Sequence, residues 1–332
     1  MNRVLSGIAP SGSFTLGNYL GALRHWVSLQ DGHDAFYCVV DLHALTTEVG
    51  ETNLRANTLD AALNLLAIGL EPERSTLFIQ SQVPEHTRLT WLLECTTAMG
   101  ELRRMTQFKD KGHGHEAVRV GLFTYPCLMA ADILLYDADA VPVGEDQRQH
   151  LELARELANR FNNRYGETFV VPEAAIAGTA ARVMDLQHPE RKMSKSADSP
   201  LGTIGLLDSD DEITRKVRKA VTDTDGEMRY DRQKKPGLAN LLEILAAATG
   251  RTAEGVAGEY TRYGDLKNDV AAALVELLRP IRERRTALEG DRAYVDDVLA
   301  RGAAHAHEVA SATYARAADA MGLLPGRAAD LN

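Results

Sequence analysis

The chain has 332 residues, enough for one large or two ordinary domains, and its 45% apolar and 25% charged residues are those of a globular protein with a buried core. A formal net charge of −10 speaks against a general nucleic-acid coat, since phosphate binding needs clustered Lys and Arg, and leaves local basic patches as the candidates. Cys38, Cys95 and Cys127 form no CxxC pair, and no stretch approaches the ~20 apolar residues of a membrane helix. A disulfide framework, a structural zinc site and a membrane span are therefore not expected. The start MNRVLSGIAP has one basic residue and no long apolar run, so no leader is expected either, and a reduced cytoplasmic setting fits.

In chain order, Val4–Ile8 reads as a short strand ending in the loop Ala9-Pro10-Ser11-Gly12. Apolar residues then recur at helical spacing through Leu16, Tyr19, Leu20, Leu23, Trp26 and Val27. Ala35–Val40 and Thr76–Gln80 read as strands, as do Asp139–Val143 and Ala181–Leu186, with helices around Leu54–Leu70 and Thr124–Tyr136 between them. Strands alternating with helices predict a parallel sheet covered on both faces, with ligands at the carboxyl ends of the strands. After about Leu206 the pattern is helical: Asp211–Val221, Leu238–Thr249, Asp269–Ala287 and Val295–Met321. Pro236-Gly237 punctuates the start of one helix, and Pro280 is expected to kink or break another. The pattern divides the chain into an α/β part over about 1–206 and a helical second domain after it.

Several clusters carry chemistry. In the segment Pro10 to Gly21, Gly17 and Gly21 lie on one helical face, where missing side chains let a flat group approach the backbone and exposed N–H groups suit phosphate. Glycines that ease helix packing are the other explanation. Arg191-Lys192-Met193-Ser194-Lys195-Ser196 places two ammonium groups three residues apart with hydroxyls between, a polyphosphate neutraliser or a solvated basic loop. Tyr125, Met129, Asp132 and Tyr136 follow i, i+4, i+7, i+11 on one helix face, and a carboxylate among Leu128, Met129, Ile133 and Leu134 should not be buried unpaired. A salt bridge or a cap would satisfy it as well as a ligand. Val141-Pro142-Val143-Gly144-Glu145-Asp146-Gln147 reads as strand, glycine turn and helix start. His43 follows the second strand at its ligand end, as a loop residue or a substrate contact. Lys109 and Lys111 sit in a polar stretch. Between Glu212 and Lys235 eight Lys or Arg face five Asp or Glu, either a solvated surface or a local nucleic-acid patch.

The intact Lys-Met-Ser-Lys-Ser string after a glycine-rich loop resembles the class I aminoacyl-tRNA synthetases. The first class signature, of the type His-x-Gly-His, stands here as Thr15-Leu16-Gly17-Asn18, the form common in bacterial tryptophan enzymes. SGIAPSG, LGNYLGAL, FIQSQVPEH, GELRRMTQFKDK, TYPCLMAADILLY, VPVGEDQRQHLELARELANRFNNRYG and AVTDTDGEMRYD are similar to that family nearly end to end. The resemblance implies a Rossmann-like catalytic domain over 1–206 with a connective insertion at about 46–121, an all-helical tRNA anticodon-binding domain over 207–291, a C-terminal helix over 292–332 packing back on the catalytic domain, and a homodimer formed through the connective segment. Tyrosyl enzymes, with the same architecture, and a non-catalytic paralogue that binds tRNA or protein are the alternatives.

That resemblance also implies site roles. ATP, with Mg²⁺ held mainly by its phosphates, would meet Ala9, Pro10, Ser11, Gly17, Asn18, Gly144, Glu145, Asp146, Val183 and the run Lys192, Met193, Ser194, Lys195 and Ser196. Lys111, Lys192 and Lys195 would act on the pyrophosphate charge. Tryptophan would lie among Leu5, Met129, Val141 and Val143, with its indole N–H on Asp132 and its amino and carboxylate ends near Tyr125, Gln147 and His43. No all-protein metal cage is implied. Ala9 departs from the family, whose bacterial members often carry a nucleotide-contacting glutamine there.

Overall fold

A computed structural model of the chain describes residues 2–10, 12–46, 53–106, 119–144, 147–176, 182–194 and 199–325. The first half alternates β1 (Asn2–Ile8), α1 (Leu16–Asn18), a π-helical turn (Tyr19–Leu23), α2 (Arg24–Leu29), β2 (His33–Val39), α3 (Asp41–Ala44), α4 (Leu54–Ala67) and β3 (Ser75–Ile79). A 3₁₀ turn (Gln80–Gln82) leads to α5 (Glu85–Glu94), α6 (Met99–Arg104), α7 (Val120–Leu134), β4 (Ala140–Val143), α8 (Arg148–Tyr165) and β5 (Glu173–Ile176). The rest is helical: α9 (Asp210–Arg218), α10 (Pro236–Thr249), α11 (Ala253–Ala257), α12 (Tyr263–Gly290) and α13 (Arg292–Ala320). No helix among the described residues is long and apolar enough to cross a membrane.

Among the described residues the five strands are all parallel, in the order β3-β2-β1-β4-β5. The strand period of two sorts side chains between two cores. Val4, Tyr37, Val39, Leu77 and Ile79 join one, with α2, α4 and the C-terminal helices. Leu5, Phe36, Cys38 and Phe78 join the other, with α5, α7, α8 and α13. Burial on both faces explains why β2 reads as an unbroken apolar run. The order reverses between β1 and β4, so the crevice outside their carboxyl ends is the topological switch point.

Three local expectations change. The fifth strand is Glu173–Ile176, whereas the expected strand at 181–186 supplies one isolated antiparallel bridge, Met184 to Lys192. Asp185 ends the extended run there, because its Oδ1 accepts the backbone N–H groups of Gln187 and His188 in a turn. The first helix is interrupted by the π turn, which adds a residue where the chain leaves the glycine-rich loop. Pro280 does not break its helix: α12 runs through it, held along its length by buried Leu274, Leu278 and Ile281.

Two contacts tie distant parts together. Arg285 of α12, almost fully buried, donates to Asn64 (2.6 Å) and Asp60 (2.7 Å) of α4. Helix α13 crosses β3 so closely at Gly302 that a Cβ there would overlap the Leu77 carbonyl. Its His307 also meets buried Glu85 of α5 at 2.8 Å.

Candidate functional site

A cavity of about 760 Å³ opens at the switch point. Leu5, Ala9 and Pro10 reach it from the end of β1, and His43 from α3 after β2. Tyr125, Met129 and Asp132 come from one face of α7, as the helical spacing predicts. Val141 and Gly144 enter from β4 and its turn, and Gln147 from the start of α8. Ser11, Lys111, Glu145, Asp146, Lys195 and Ser196 lie outside the described residues, as does the side chain of Val143.

Asp132 is buried at 6% exposure and is the electrostatic centre of this cavity. Its Oδ1 accepts from Gln80 Nε2 (2.8 Å) and meets His86 Nδ1 (2.6 Å), while its Oδ2 meets His43 Nε2 (2.8 Å). Burial works against the carboxylate charge. The electrostatic attraction and hydrogen bond of His43, together with the hydrogen bond from His86, outweigh that cost and hold the carboxyl well below its ordinary range. The group is thus an ionised acceptor in a mainly apolar slot. Tyr125, two turns earlier on α7 and edge-on to the His43 ring at 6.1 Å, pairs its hydroxyl with His150 Nε2 (2.7 Å), and burial pushes its pKa up to about 12, so it stays a neutral hydroxyl.

His43, expected near the amino or carboxylate end of a ligand, lines the cavity with its Nε2 on Asp132. Gln80 and His86 were missed as site residues. A signal existed for His86: with Leu89 and Leu93 it follows i, i+3, i+7 on the buried face of α5, where an apolar residue is the rule.

The other expected residues form a second group, outside the cavity lining. Thr15 caps α1: its Oγ1 accepts from the Asn18 N–H (3.2 Å), and Asn18 Oδ1 accepts from the Thr15 N–H (3.0 Å). A Cβ at Gly17 would stand 3.4 Å from the Met193 backbone and side chain, so the basic loop sits directly on the helix start, at a distance where a Cβ would make an ordinary contact. Val183 accepts the Met193 N–H (3.0 Å), and both side chains are buried, leaving Lys192 and Ser194 exposed on either side. Asn240 of α10 clamps this hairpin, exchanging two hydrogen bonds of 2.9 Å with the Met184 backbone.

The basic stretch after Glu212 is thinner than its composition. Lys216 is buried on Asp208 (2.5 Å), and Lys235 is buried against Asp223, Asp225 and Tyr263. Arg215, Arg218, Lys219 and Lys234 remain exposed.

The family described as tRNA synthetases class I (W and Y) matches residues 1–279. A tryptophan–tRNA ligase of Streptomyces avermitilis is 54% identical over 330 residues, covering 98% of each chain. Among solved structures, the tryptophanyl-tRNA synthetase of Mycoplasma pneumoniae superimposes with a TM-score of 0.89 at 37% identity over 98% of both chains. That of Campylobacter jejuni, complexed with ADP and tryptophan, gives 0.82 at 33% identity over 97% of this chain and 100% of the other.

Proposed function

This chain belongs to the class I tRNA synthetases of the W and Y kind, and on that premise we propose that it is a tryptophan–tRNA ligase. In the first step the tryptophan carboxylate attacks the α-phosphorus of Mg-ATP in line, forming tryptophanyl-AMP and releasing pyrophosphate. In the second, a hydroxyl at the 3′ end of tryptophan tRNA takes the tryptophanyl group and AMP leaves. The attacking carboxylate is already a nucleophile, so activation calls for positioning and charge stabilisation rather than a protein base.

The observation that carries the substrate reading is Asp132. Indole offers one polar group, an N–H donor, and an apolar slot ending in an ionised acceptor suits it. Leu5, Met129 and Val141 supply the apolar walls, and Tyr125 and Gln147 stand at the side where the amino acid's polar end would lie. On the nucleotide side, Gly17, Asn18 and the segment from Lys192 to Ser196 take ATP, with Lys111, Lys192 and Lys195 on the leaving pyrophosphate. Residues 1–206 act as the catalytic domain and 207–291 carry the anticodon, with Arg215, Arg218, Lys219 and Lys234 as phosphate contacts. The chain works in the cytoplasm as a homodimer, a reading supported by exposed Trp91, Met99 and Val120 in or beside the connective segment.

Tryptophan-dependent exchange of pyrophosphate into ATP tests the assignment. Exchange is expected with tryptophan and not with tyrosine; the reverse preference would overturn it.

A further inference from the structure

Behind the cavity lies a set of buried polar groups that the reaction itself does not use. His86 is completely buried, its Nδ1 on Asp132 and its Nε2 2.8 Å from the hydroxyl of equally buried Tyr136. Phe78 stacks on the imidazole with ring centroids 5.9 Å apart, and the Tyr136 ring lies 5.6 Å away. Gln80, on the other side, is fixed by its own carbonyl oxygen, which accepts the Leu42 N–H at 3.1 Å, so its amide nitrogen is the end that faces Asp132.

Hydrogen-bond bookkeeping gives this set a direction. An ionised carboxylate only accepts, so the His86 Nδ1 must carry a proton. If Nε2 carried one too, Tyr136 would have to accept it, and its own hydrogen would point into a dry interior with no partner. The arrangement that satisfies every group runs one way: the Tyr136 O–H donates to Nε2, and Nδ1–H donates to Asp132 Oδ1. Burial first, then the electrostatic influence of Cys38, Asp132 and Glu85 in that order, drives the Tyr136 hydroxyl pKa well up, which keeps it a donor.

A carboxylate has about four lone-pair positions. Gln80 and His86 take both on Oδ1, and His43 takes one on Oδ2. One acceptor position is left on Oδ2. We infer that Tyr136, His86 and Gln80 are positioning residues: they lock the Asp132 carboxylate so that its one open lone pair is presented to the amino acid, and they thereby set tryptophan affinity and specificity. The inference rests on the tryptophan reading above. A carboxylate with a free Oδ1 could rotate, and the aim of the remaining lone pair would be lost with it.

The test uses the full-length enzyme in pyrophosphate exchange, with Tyr136→Phe, Gln80→Met and Asp132→Ala beside wild type, and ¹⁵N spectra of the histidine imidazoles. In wild type, His86 should give the signature of a neutral ring protonated at Nδ1, and Tyr136→Phe should change it while Gln80→Met should not. Each of these two variants should raise the KM for tryptophan ~3- to 10-fold, roughly one neutral hydrogen bond, with kcat and the KM for ATP within about twofold. A merely structural role would lower stability without this split between substrates. An unchanged tryptophan KM in both folded variants, or a His86 signature protonated at Nε2, overturns the relay. If the KM rises in Asp132→Ala alone, the relay falls and the tryptophan reading stands; if it rises in none of the three, both fall.

Discussion

The end of the site proposed for the amino acid and the end proposed for the nucleotide are built by opposite means. At Asp132 the carboxylate is buried, and Gln80, His86 and His43 take all but one of its acceptor positions. At Lys192 the side chain stands in solvent, and what is rigid is the backbone beneath it, anchored by Met193, Val183 and Asn240. The contrast follows from the chemistry each end faces. Telling one N–H donor from a methylene requires a desolvated acceptor at a fixed place, because a lost partner is expensive only where water cannot replace it. Charge moving onto pyrophosphate is spread over several oxygens, and compact ammonium groups stabilise it without such tight aim.

Substitutions at three positions break or sharpen that comparison. Lys195→Ala should have the largest effect, a loss on the order of 10²-fold in the rate of adenylate formation, as for one electrostatic donor that acts mainly in the transition state. Pre-steady-state measurement checks it; a normal rate with weaker tryptophan binding would place Lys195 at the wrong end.

Asp132→Ala should come next, with tryptophan bound roughly 10- to 150-fold more weakly, the range of a hydrogen bond to a charged group at ~1.5–3 kcal/mol. ATP binding without tryptophan should change little. Calorimetric titration of each ligand separates the two. The same residue predicts an acid limb: a carboxyl held below its unfolded value stabilises the fold at every pH above about 4 and loses that contribution as pH falls through the folded value. Asp132→Asn should therefore be less stable than wild type at neutral pH, and the gap should narrow as the solution is acidified.

Ala9→Gln should be the mildest, with activity kept and ATP affinity raised by no more than a neutral hydrogen bond, ~0.5–1.5 kcal/mol. Nucleotide titration reads it. Abolished activity in a folded variant would mean that Ala9 accompanies a reshaped pocket.

The same contrast governs what could be read from the residues beforehand. Lys192-Met193-Ser194-Lys195-Ser196 is contiguous, so its chemistry was visible as a string, and the face shared by Tyr125, Met129 and Asp132 followed from helical spacing alone. The partners of Asp132 come from α3, from the turn after β3 and from α5, between 46 and 89 residues away, and no local pattern links them. β5 was missed because Glu173–Ile176 is short and holds two alanines and a glutamate, residues depleted in strands; pairing along β4 overrides that preference. The basic stretch misled in the other direction. Composition counts charges, but Lys216 and Lys235 are themselves buried and spend theirs on neighbouring carboxylates.

The crossing of α13 over β3 bears on how the chain is made. β3 is the outer strand of the sheet, and its far side is closed by a helix whose contact residue, Gly302, follows Leu77 by more than two hundred positions. On the ribosome the strand is therefore finished long before its cover, and in that interval a bare strand edge is open to pairing with another chain. A product truncated before residue 292 would carry the exposed edge permanently. The last helix thus acts late, as the step that removes an aggregation-prone surface, and loss of the C-terminus should show first as insolubility in the cell.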